Sequence, residues 1–589
     1  MKILKMFAYL FLGLSFNSCM DFLDLEPLDE ISNSSFWNTE NDMKYYNNQI
    51  YDLASDCEKS GIMIAHGNAG RLASYWHFDY MSDNMATTRS SFSFYIDIRT
   101  GVRVVPTKVE QFDYQGWELL RTINFGLENY NRVNVDASIR NKYIAEAKLF
   151  RGWFYGVKVE RYGDVQWTNK ALDVNSAELY GKRTPRAEVM DSVLADLNFA
   201  TTYLPNDWED GSSPGRMNRW CALLIKSRIC LFEGTFRKYH GLPDYERWLI
   251  EAKKSSNELI EDGPYSLYQT SNPIENEDYA FIHRQKDLTG NPQVLYWRRY
   301  KKGVLTHNAF NWFSSEGGGA TRDMVESYLM SDGKPMAISS YSYNDETMEN
   351  VFENRDPRLR QSILHPEDKT KRKFYGDDKL TYPRLLGMVG GKVINTGYHV
   401  IKQYSYDLYE PTANQSEQAG IILQYAEALL NYAEAVAELN EITQDDIDKT
   451  INKLRDRVNM PHLDINNVPI DPQAAIDGVT PLIFEIRRER RVELFCEGFR
   501  YDDLMRWKLG RNLAKKAYGI RWDDKAKERF PDAKQVKSSI DPLNNVEYVD
   551  VFKGTQWENA RFNEERDYLW PIPLNIITEN TEIVQNPNW

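Results

Sequence analysis

The sequence predicts a mostly α-helical protein: helix pairs forming a scaffold, interrupted by a long loop-rich lobe with short strands. Three observations predict it. Apolar residues recur at spacings of three and four across residues 113–262 and again after about 415, the period of helices with one buried face. Between about 265 and 415 that period lapses into Asn, Gly, Pro, Tyr and short apolar pieces. In a helix read over residues 421–439, Ala426, Ala433 and Ala437 alternate with Leu423, Leu430 and Tyr432, so a neighbouring helix can approach closely, as in stacked helical repeats. No strict 34-residue period is present, so a repeat array is suggested by packing pattern alone.

The chain opens on Lys2 and Lys5 and an apolar run from Met6 to Phe16, too short to span a bilayer as a helix. Residues 1–18 read as an export signal. Ser18 supplies the small residue before Cys19 that lipoprotein processing needs, and lipid attachment at Cys19 is favoured over ordinary cleavage nearby. At about 0.8 kcal/mol per buried methylene, two or more acyl chains would hold the protein stably on a membrane. No later stretch is apolar for long enough to cross one.

Composition narrows the chemistry. Loss of Lys2 and Lys5 with the signal takes the formal charge from −14 to −16, which disfavours nucleic acid and anionic surfaces as partners. Cys57, Cys221, Cys230 and Cys496 have no metal-ligand spacing and are too few to staple the fold. On one helix, Cys221 and Cys230 would lie on opposite faces, too far apart to bridge. The eight histidines form no HExxH cluster, and Gly317–Gly319 is followed by no Lys-Ser/Thr, so the common zinc enzymes and phosphate loops are excluded. No EF-hand loop is present and no cofactor is predicted. With 15 Trp, 36 Tyr and 26 Phe, the chain carries more aromatic side chains in polar loops than a core readily explains.

In order, residues 19–264 form an N-terminal helical region. It includes a face of Ile144, Ala147, Phe150, Phe154 and Val157, and a helix with Thr184 as N-cap, Pro185 in its first turn and a stop before Pro205. Residues 265–415 form the irregular lobe, where binding loops tend to sit on a rigid scaffold. Within it, "ENRDPRLR" starts a short helix capped by Asp356 with Pro357 in first position. Residues 416–589 return to helices, and the tail "YLWPIPLNIITENTEIVQNPNW" is extended and Pro-anchored.

Seven pieces in this order, "DFLDLEPLDEISNSSFWNTENDMKYYNNQIYD", "YIAEAKLFRGWFYGVKVERYGDV", "TRDMVESYLMSDGK", "NRDPRL", "LQYAEALLNYAEAVAEL", "RRERRVELFCEGFRYDDLMRW" and "YLWPIP" with "EIVQNPNW", resemble the SusD/RagB family of Bacteroidetes outer-membrane lipoproteins. The resemblance covers nearly the whole mature chain. It implies a SusD-like α-α superhelix of tetratricopeptide-like pairs carrying an irregular lobe, one unit rather than separable domains. It also implies a lipid-anchored place on the outer-membrane surface and a SusC-like TonB-dependent transporter as partner, to which captured glycan is delivered without catalysis. Asp21 and Asp24 are similar to the surface-export signals of such lipoproteins.

A sugar offers a C–H face to aromatic rings and a hydroxyl rim to amides and charges. Two stretches combine such groups. In "SYWHFDYMSDNMATTRSSFSFYIDIR", Trp76 and Tyr80 read as a core face, whereas Asp83, Asn84, Arg89, Phe92 and Tyr95 are ligand candidates; the resemblance also places ligand contacts in this early loop. In "VLYWRRYKKGVLTHNAFNWFSSEGGG", the candidates are Tyr296, Trp297, Asn311, Trp312 and Phe313, ahead of a glycine run expected to leave backbone accessible. Trp312 is the foremost candidate, and a strand there would turn some of Tyr296 and Trp297 inward.

The enzymatic alternative rests on Glu489, Glu493 and Glu497, aligned on one helix face as a glycosidase pair might be. Arg487, Arg488, Arg490, Arg491 and Arg500 surround them, and an acid paired to Arg loses the raised pKa that a general acid needs. A structural ion-pair network is expected there, extending to Asp502 and Arg506. A surface glycan-binding protein is the favoured reading; a surface glycoside hydrolase and a protein-binding helical scaffold remain the alternatives.

Overall fold

The computed structural model describes residues 36–65, 75–308, 317–368, 371, 382–388, 393–405, 408 and 412–589. The signal segment, Cys19, Asp21 and Asp24 lie outside the described residues, as do Asn311, Trp312 and Phe313. In chain order, the helices used below are α1 (Glu40–Ser55), α2 (Ser93–Thr100), α3 (Trp117–Asn129), α4 (Ala137–Tyr162), α5 (Arg186–Tyr203), α6 (Arg219–His240), α7 (Tyr245–Asp262), α8 (Arg322–Ser327), α9 (Pro357–Ser362), α10 (Tyr425–Glu438), α11 (Ile451–Arg457), α12 (Pro481–Glu493) and α13 (Arg500–Arg506). Three small sheets accompany them. β1 (Met85–Ala86) pairs with β3 (Gly319–Ala320), and β2 (Val294–Arg298) with β4 (Gly420–Gln424). β5 (Tyr518–Arg521), β6 (Ser538–Asp541) and β7 (Val546–Asp550) form a three-stranded sheet in the order β5-β7-β6, all antiparallel.

Local chemistry starts and spaces the helices. α1 opens with a capping box: the Thr39 amide donates to Asp42 Oδ2 at 2.7 Å, satisfying an orphan donor. α4 packs on α5, and α6 on α7, through glycines where a side chain would not fit. A Cβ on Gly152 would come within 3.0 Å of Leu197 on α5, and one on Gly234 within 2.9 Å of Leu249 on α7. α5 begins one residue later than the sequence suggests, with Pro185 itself as N-cap, and ends at Tyr203 before Pro205. α9 starts as expected: Asp356 Oδ1 accepts from the Arg358 amide at 2.9 Å, with Pro357 in the first turn. Cys221 and Cys230 share α6, buried and unbridged, their thiols pushed by burial to about 12.

The helix read over 421–439 begins later than expected. Residues 420–424 are β4, whose Ile421 faces Trp297 and whose Gln424 faces Val294; only from Tyr425 does the chain coil. The apolar run "GIILQ" is equally compatible with a strand and a helix turn, and the partner β2 decides. α10 is then buried along its whole length. The C-terminal region is also less helical than its sequence suggests, because β5–β7 occupy much of 518–550. The tail clasps the N-terminal half: the Trp570 amide donates to the Arg161 carbonyl at 2.6 Å, and Leu574 to that of Pro106 at 2.9 Å. The Arg103 guanidinium lies 4.4 Å over the Trp570 ring.

Buried charge ties these pieces together. On α10, Glu427 receives Arg228 of α6 at 2.6 Å on each oxygen. Glu434 receives Arg506 of α13 at 2.7 Å, and Glu438 receives Lys238 of α6 at 2.8 Å and Arg487 of α12 at 3.0 Å. The Glu489–Glu493–Glu497 stripe is an ion-pair network, but its cations come from other elements than the neighbouring arginines of α12. Arg358 of α9 bridges Glu489 at 2.5 Å and Glu493 at 3.1 Å; Arg455 and Arg457 of α11 reach Glu489 at 3.0 Å and Glu493 at 2.7 Å; and Lys402 reaches Glu497 at 2.6 Å. A helix points successive side chains outward from its own axis, so a buried acid meets the cation of whichever element packs on it. Asp502 and Arg506 likewise do not pair with each other: Asp502 takes Arg161 of α4, and Arg506 takes Glu434 and Asp503.

Removing one partner of such a pair strands buried charge. Arg358→Met, which leaves Asp356, Glu489 and Glu493 short of their cation, is expected to cost about 3–5 kcal/mol in denaturant unfolding. Burial alone would raise Glu497, but Lys402 and then His283 outweigh it and hold the carboxyl down at about 2. A depressed folded pKa stabilises above the unfolded value near 4.5 and is lost as pH falls from there toward 2. Unfolding midpoints taken across that window should therefore fall with pH, and Glu497→Gln should flatten the slope.

Candidate functional site

The early loop divides sharply into floor and rim. Asp83 is buried and doubly claimed: Arg500 Nε and Nη2 donate to its two oxygens at 2.8 and 2.9 Å, and Arg491 lies 3.4 Å away. Burial would raise this carboxyl, yet Arg491 and then Arg500 hold it far below the usual range. Asn84, also buried, donates to Asp79 at 2.8 Å and accepts from Arg491 Nε at 2.8 Å. Both side chains lock the loop to α12 and α13, so neither has a hydrogen-bonding edge left over for a hydroxyl rim.

The rings of the same loop point inward. Phe92 is 0% exposed, with its centroid 5.0 Å from Tyr80 and 5.1 Å from His77. Tyr95, on α2, is 0% exposed and packs edge-on to Phe78 and Phe94. Trp76 and Tyr80 join this cluster, as their spacing suggests. Tyr296 and Trp297 are buried on opposite faces of β2, the first in the main core and the second in a small core with Ile282, Leu288 and Ile421. The expectation that Phe92, Tyr95, Tyr296 and Trp297 offer ring faces to a ligand is thus corrected, for both faces of β2 and the underside of the early loop are covered. Large rings bury 150–250 Å² each, and that burial wins where a second layer is at hand.

Arg89 stands apart, exposed together with Ser90 and Ser91 above the Phe92 cluster. The glycine run meets it there. A Cβ on Gly317, whose φ is +76°, would lie 3.7 Å from Arg89 Cγ and 2.8 Å from Asn395 Oδ1. The Asn395 backbone amide donates to the Gly317 carbonyl at 2.6 Å, and its Nδ2 donates to Thr88 Oγ1 at 2.9 Å. The two stretches singled out in the sequence therefore meet at one polar ledge, where the exposed Arg89 and half-buried Thr88 lie beside the buried Gly317 and Asn395. Gly318 and Gly319 do not expose their backbone as expected. A Cβ on Gly318 would lie 1.7 Å from the Tyr80 hydroxyl, and one on Gly319 2.2 Å from Thr396 Oγ1, so these glycines serve close packing. Asn395 carries no local sequence signal and is found only through the fold.

Among the described residues, no helix is long and apolar enough to cross a membrane, and no group of three or more His, Cys, Asp or Glu is placed to hold a metal ion. The acids nearest to a glycosidase pair, Glu489 and Glu493, are each bonded to two guanidinium groups, and burial of Glu489 is outweighed by Arg358 and Arg455, which keep it ionised.

The SusD family model matches residues 244–589. The chain belongs to the SusD family. SusD-like protein P2 of Formosa agariphila is 22% identical over 481 residues, covering 81% of this chain and 80% of that protein. A SusD-like protein of Bacteroides fragilis is 24% identical, with a TM-score of 0.68 over 96% of this chain and 100% of that one. A second from the same species, a SusD-like carbohydrate-binding protein, is 22% identical with a TM-score of 0.71 over 93% and 99%. The laminarin-binding SusD-like protein is 18% identical, with a TM-score of 0.58 over 94% and 100%. The mostly helical scaffold with a loop-rich lobe is thus the fold of the SusD family.

If the aromatic floor is structural and the ledge is not, the two respond differently to truncation. Phe92→Ala should cost about 3–5 kcal/mol in chemical denaturation, whereas Arg89→Ala should move the midpoint far less.

Proposed function

We propose that this SusD family protein is a cell-surface glycan-binding lipoprotein, anchored through Cys19, that captures oligo- or polysaccharide and passes it to a SusC-like TonB-dependent outer-membrane transporter. The observation that carries the reading is a SusD fold along nearly the full chain, shared with a carbohydrate-binding and a laminarin-binding protein, on which a polar ledge is assembled where the two candidate stretches meet. Arg89 and Thr88 supply polar groups for a hydroxyl rim, with Thr88 held by the buried Asn395, and the sequence puts Trp312 and Phe313 a few residues before Gly317 as the ring partners. The chemistry of the acids supports capture without cleavage, because a carboxylate held between guanidinium groups has no proton to give a leaving oxygen.

Native electrophoresis through gels cast with a panel of polysaccharides tests this reading, with assay of reducing ends in the same mixtures. Retarded migration without released sugar is expected, and Arg89→Ala and Trp312→Ala should each weaken retention about tenfold, the 1.4 kcal/mol of a lost contact. Released sugar would instead identify a hydrolase, and the absence of retention on every glycan would favour the protein-binding scaffold. Co-purification of a large barrel receptor with the detergent-extracted protein, lost for Cys19→Ala released from the membrane, tests the anchor and the partner.

A further inference from the structure

A second concavity lies across α8 from the ledge. It is a cleft of about 530 Å³ between α8 and the β6–β7 turn, within the range of about 300–1,000 Å³ typical of small-molecule sites. Arg99 and Asp83 line its floor, Arg322 and Asp323 one wall, and Lys515 and Tyr518 its rim. A smaller cavity of about 90 Å³ shares Asp83, Asp323 and Lys515 with it and runs to the arginines of α12. Neither Arg89, Gly317 nor Asn395 lines either space.

The larger cleft is lined by four Arg and Lys and four Asp and Glu side chains, and the arginines of α12 and α13 add a cationic excess in the smaller cavity, in a protein of net charge −14. All five acids of the two spaces are already paired. Asp83 holds Arg500, Asp323 holds Arg491 at 2.6 Å, Glu326 and Asp541 hold Arg322 at 2.6 and 2.8 Å, and Asp477 faces Arg511 at 3.7 Å. Two of the eight cations, Arg99 and Lys515, pair with no carboxylate among the described residues. Arg99, 2% exposed, spends its terminal nitrogens on the Leu513 and Lys515 carbonyls; its buried Nε has no acceptor, and it makes no ion pair with a carboxylate among the described residues. Lys515 is exposed, and Arg487, though paired to Glu438, keeps two buried nitrogens without acceptors. Burial pulls Arg99 down to about 10, with Asp83 and Asp323 only partly offsetting it, the mark of a buried cation short of countercharge. A buried donor without a partner is costly, and an anion filling the space would relieve that cost. Beside these donors the half-buried Tyr518 ring and the exposed Asn544 offer a stacking face and an amide.

We propose that this cleft is a second binding site, specific for an acidic saccharide unit whose carboxylate or sulfate is held by Arg99 and Lys515 while its ring lies on Tyr518. The saccharide half of the inference rests on the reading of the protein as a glycan binder; the anion half rests on the cleft alone. An anionic group held by guanidinium and ammonium donors would bind with a strong dependence on ionic strength, and a neutral glycan would gain nothing from them.

Isothermal titration of the full-length protein separates the outcomes, using oligogalacturonate, a sulfated galactan oligosaccharide, a neutral laminarin oligosaccharide and inorganic sulfate as probes. At least one acidic oligosaccharide should bind, more weakly as salt rises, and Lys515→Ala and Tyr518→Ala should each reduce its affinity about tenfold or more. Both positions are surface-accessible, so these variants should keep the parent unfolding midpoint, unlike Arg99→Met. Acidic oligosaccharide binding untouched by either variant overturns the assignment of the cleft. Inorganic sulfate bound at Lys515 without either acidic oligosaccharide overturns the saccharide half. Binding of laminarin oligosaccharide alone overturns this inference and leaves the glycan-capture function standing, whereas binding of no glycan overturns both.

Discussion

The carboxylates buried along α10 and α12 are the constraint on which the rest of this structure depends. Glu427, Glu434 and Glu438 on one helix and Glu489 and Glu493 on the other are each met by a guanidinium or ammonium group from a different element. An ionised group out of water costs several kcal/mol unless it is paired, so each of these acids accepts only packings that bring its cation within reach. Sliding α10 by one turn would strand three charges together. Apolar burial drives the helices into contact, and the ion pairs select one register among those that burial alone would tolerate.

The same pairing decides what chemistry the protein can perform. Glu489 of α12 and Glu497 beyond its end are held ionised by their partners, which commits these two acids to structure. Two surfaces lie on either end of one short segment. Gly317 borders the Arg89 ledge, β3 follows it into the sheet with β1, and Thr321 to Glu326 form the wall of the cationic cleft. Arg491 and Arg500 anchor Asp83 beneath both, which couples the position of the ledge to the ion-pair lattice behind it.

Much of this was legible in the sequence, for stated reasons. The period of three to four residues in "YIAEAKLFRGWFYGV" and the turn chemistry of Asp356–Pro357 are local, and α4 and α9 appear where they point. The Glu489–Glu493–Glu497 stripe could be judged structural because arginines crowd the same chain segment, even though its cations belong to α9, α11 and the Lys402 segment. The candidate site was legible only as composition. Aromatic residues near Asn and Arg mark a region, but whether Phe92 or Tyr296 faces a sugar or a second layer of protein depends on what lies opposite, and no local pattern records that.

The sequence by itself determined the mostly helical scaffold and the family to which the chain belongs, since each follows from periodicity, turn residues and ordered motifs along the chain. Tertiary structure alone decided that "GIILQ" would be a strand, that the aromatic loop would turn its rings inward, and that Arg89 would meet Gly317 across more than two hundred residues of chain. It also left Arg99 and Lys515 without carboxylate partners among the described residues, beside an open cleft. The physical reason is the same in each case: hydrogen-bond partners, ring neighbours and countercharges are properties of the space around a residue, and only the folded chain fills that space.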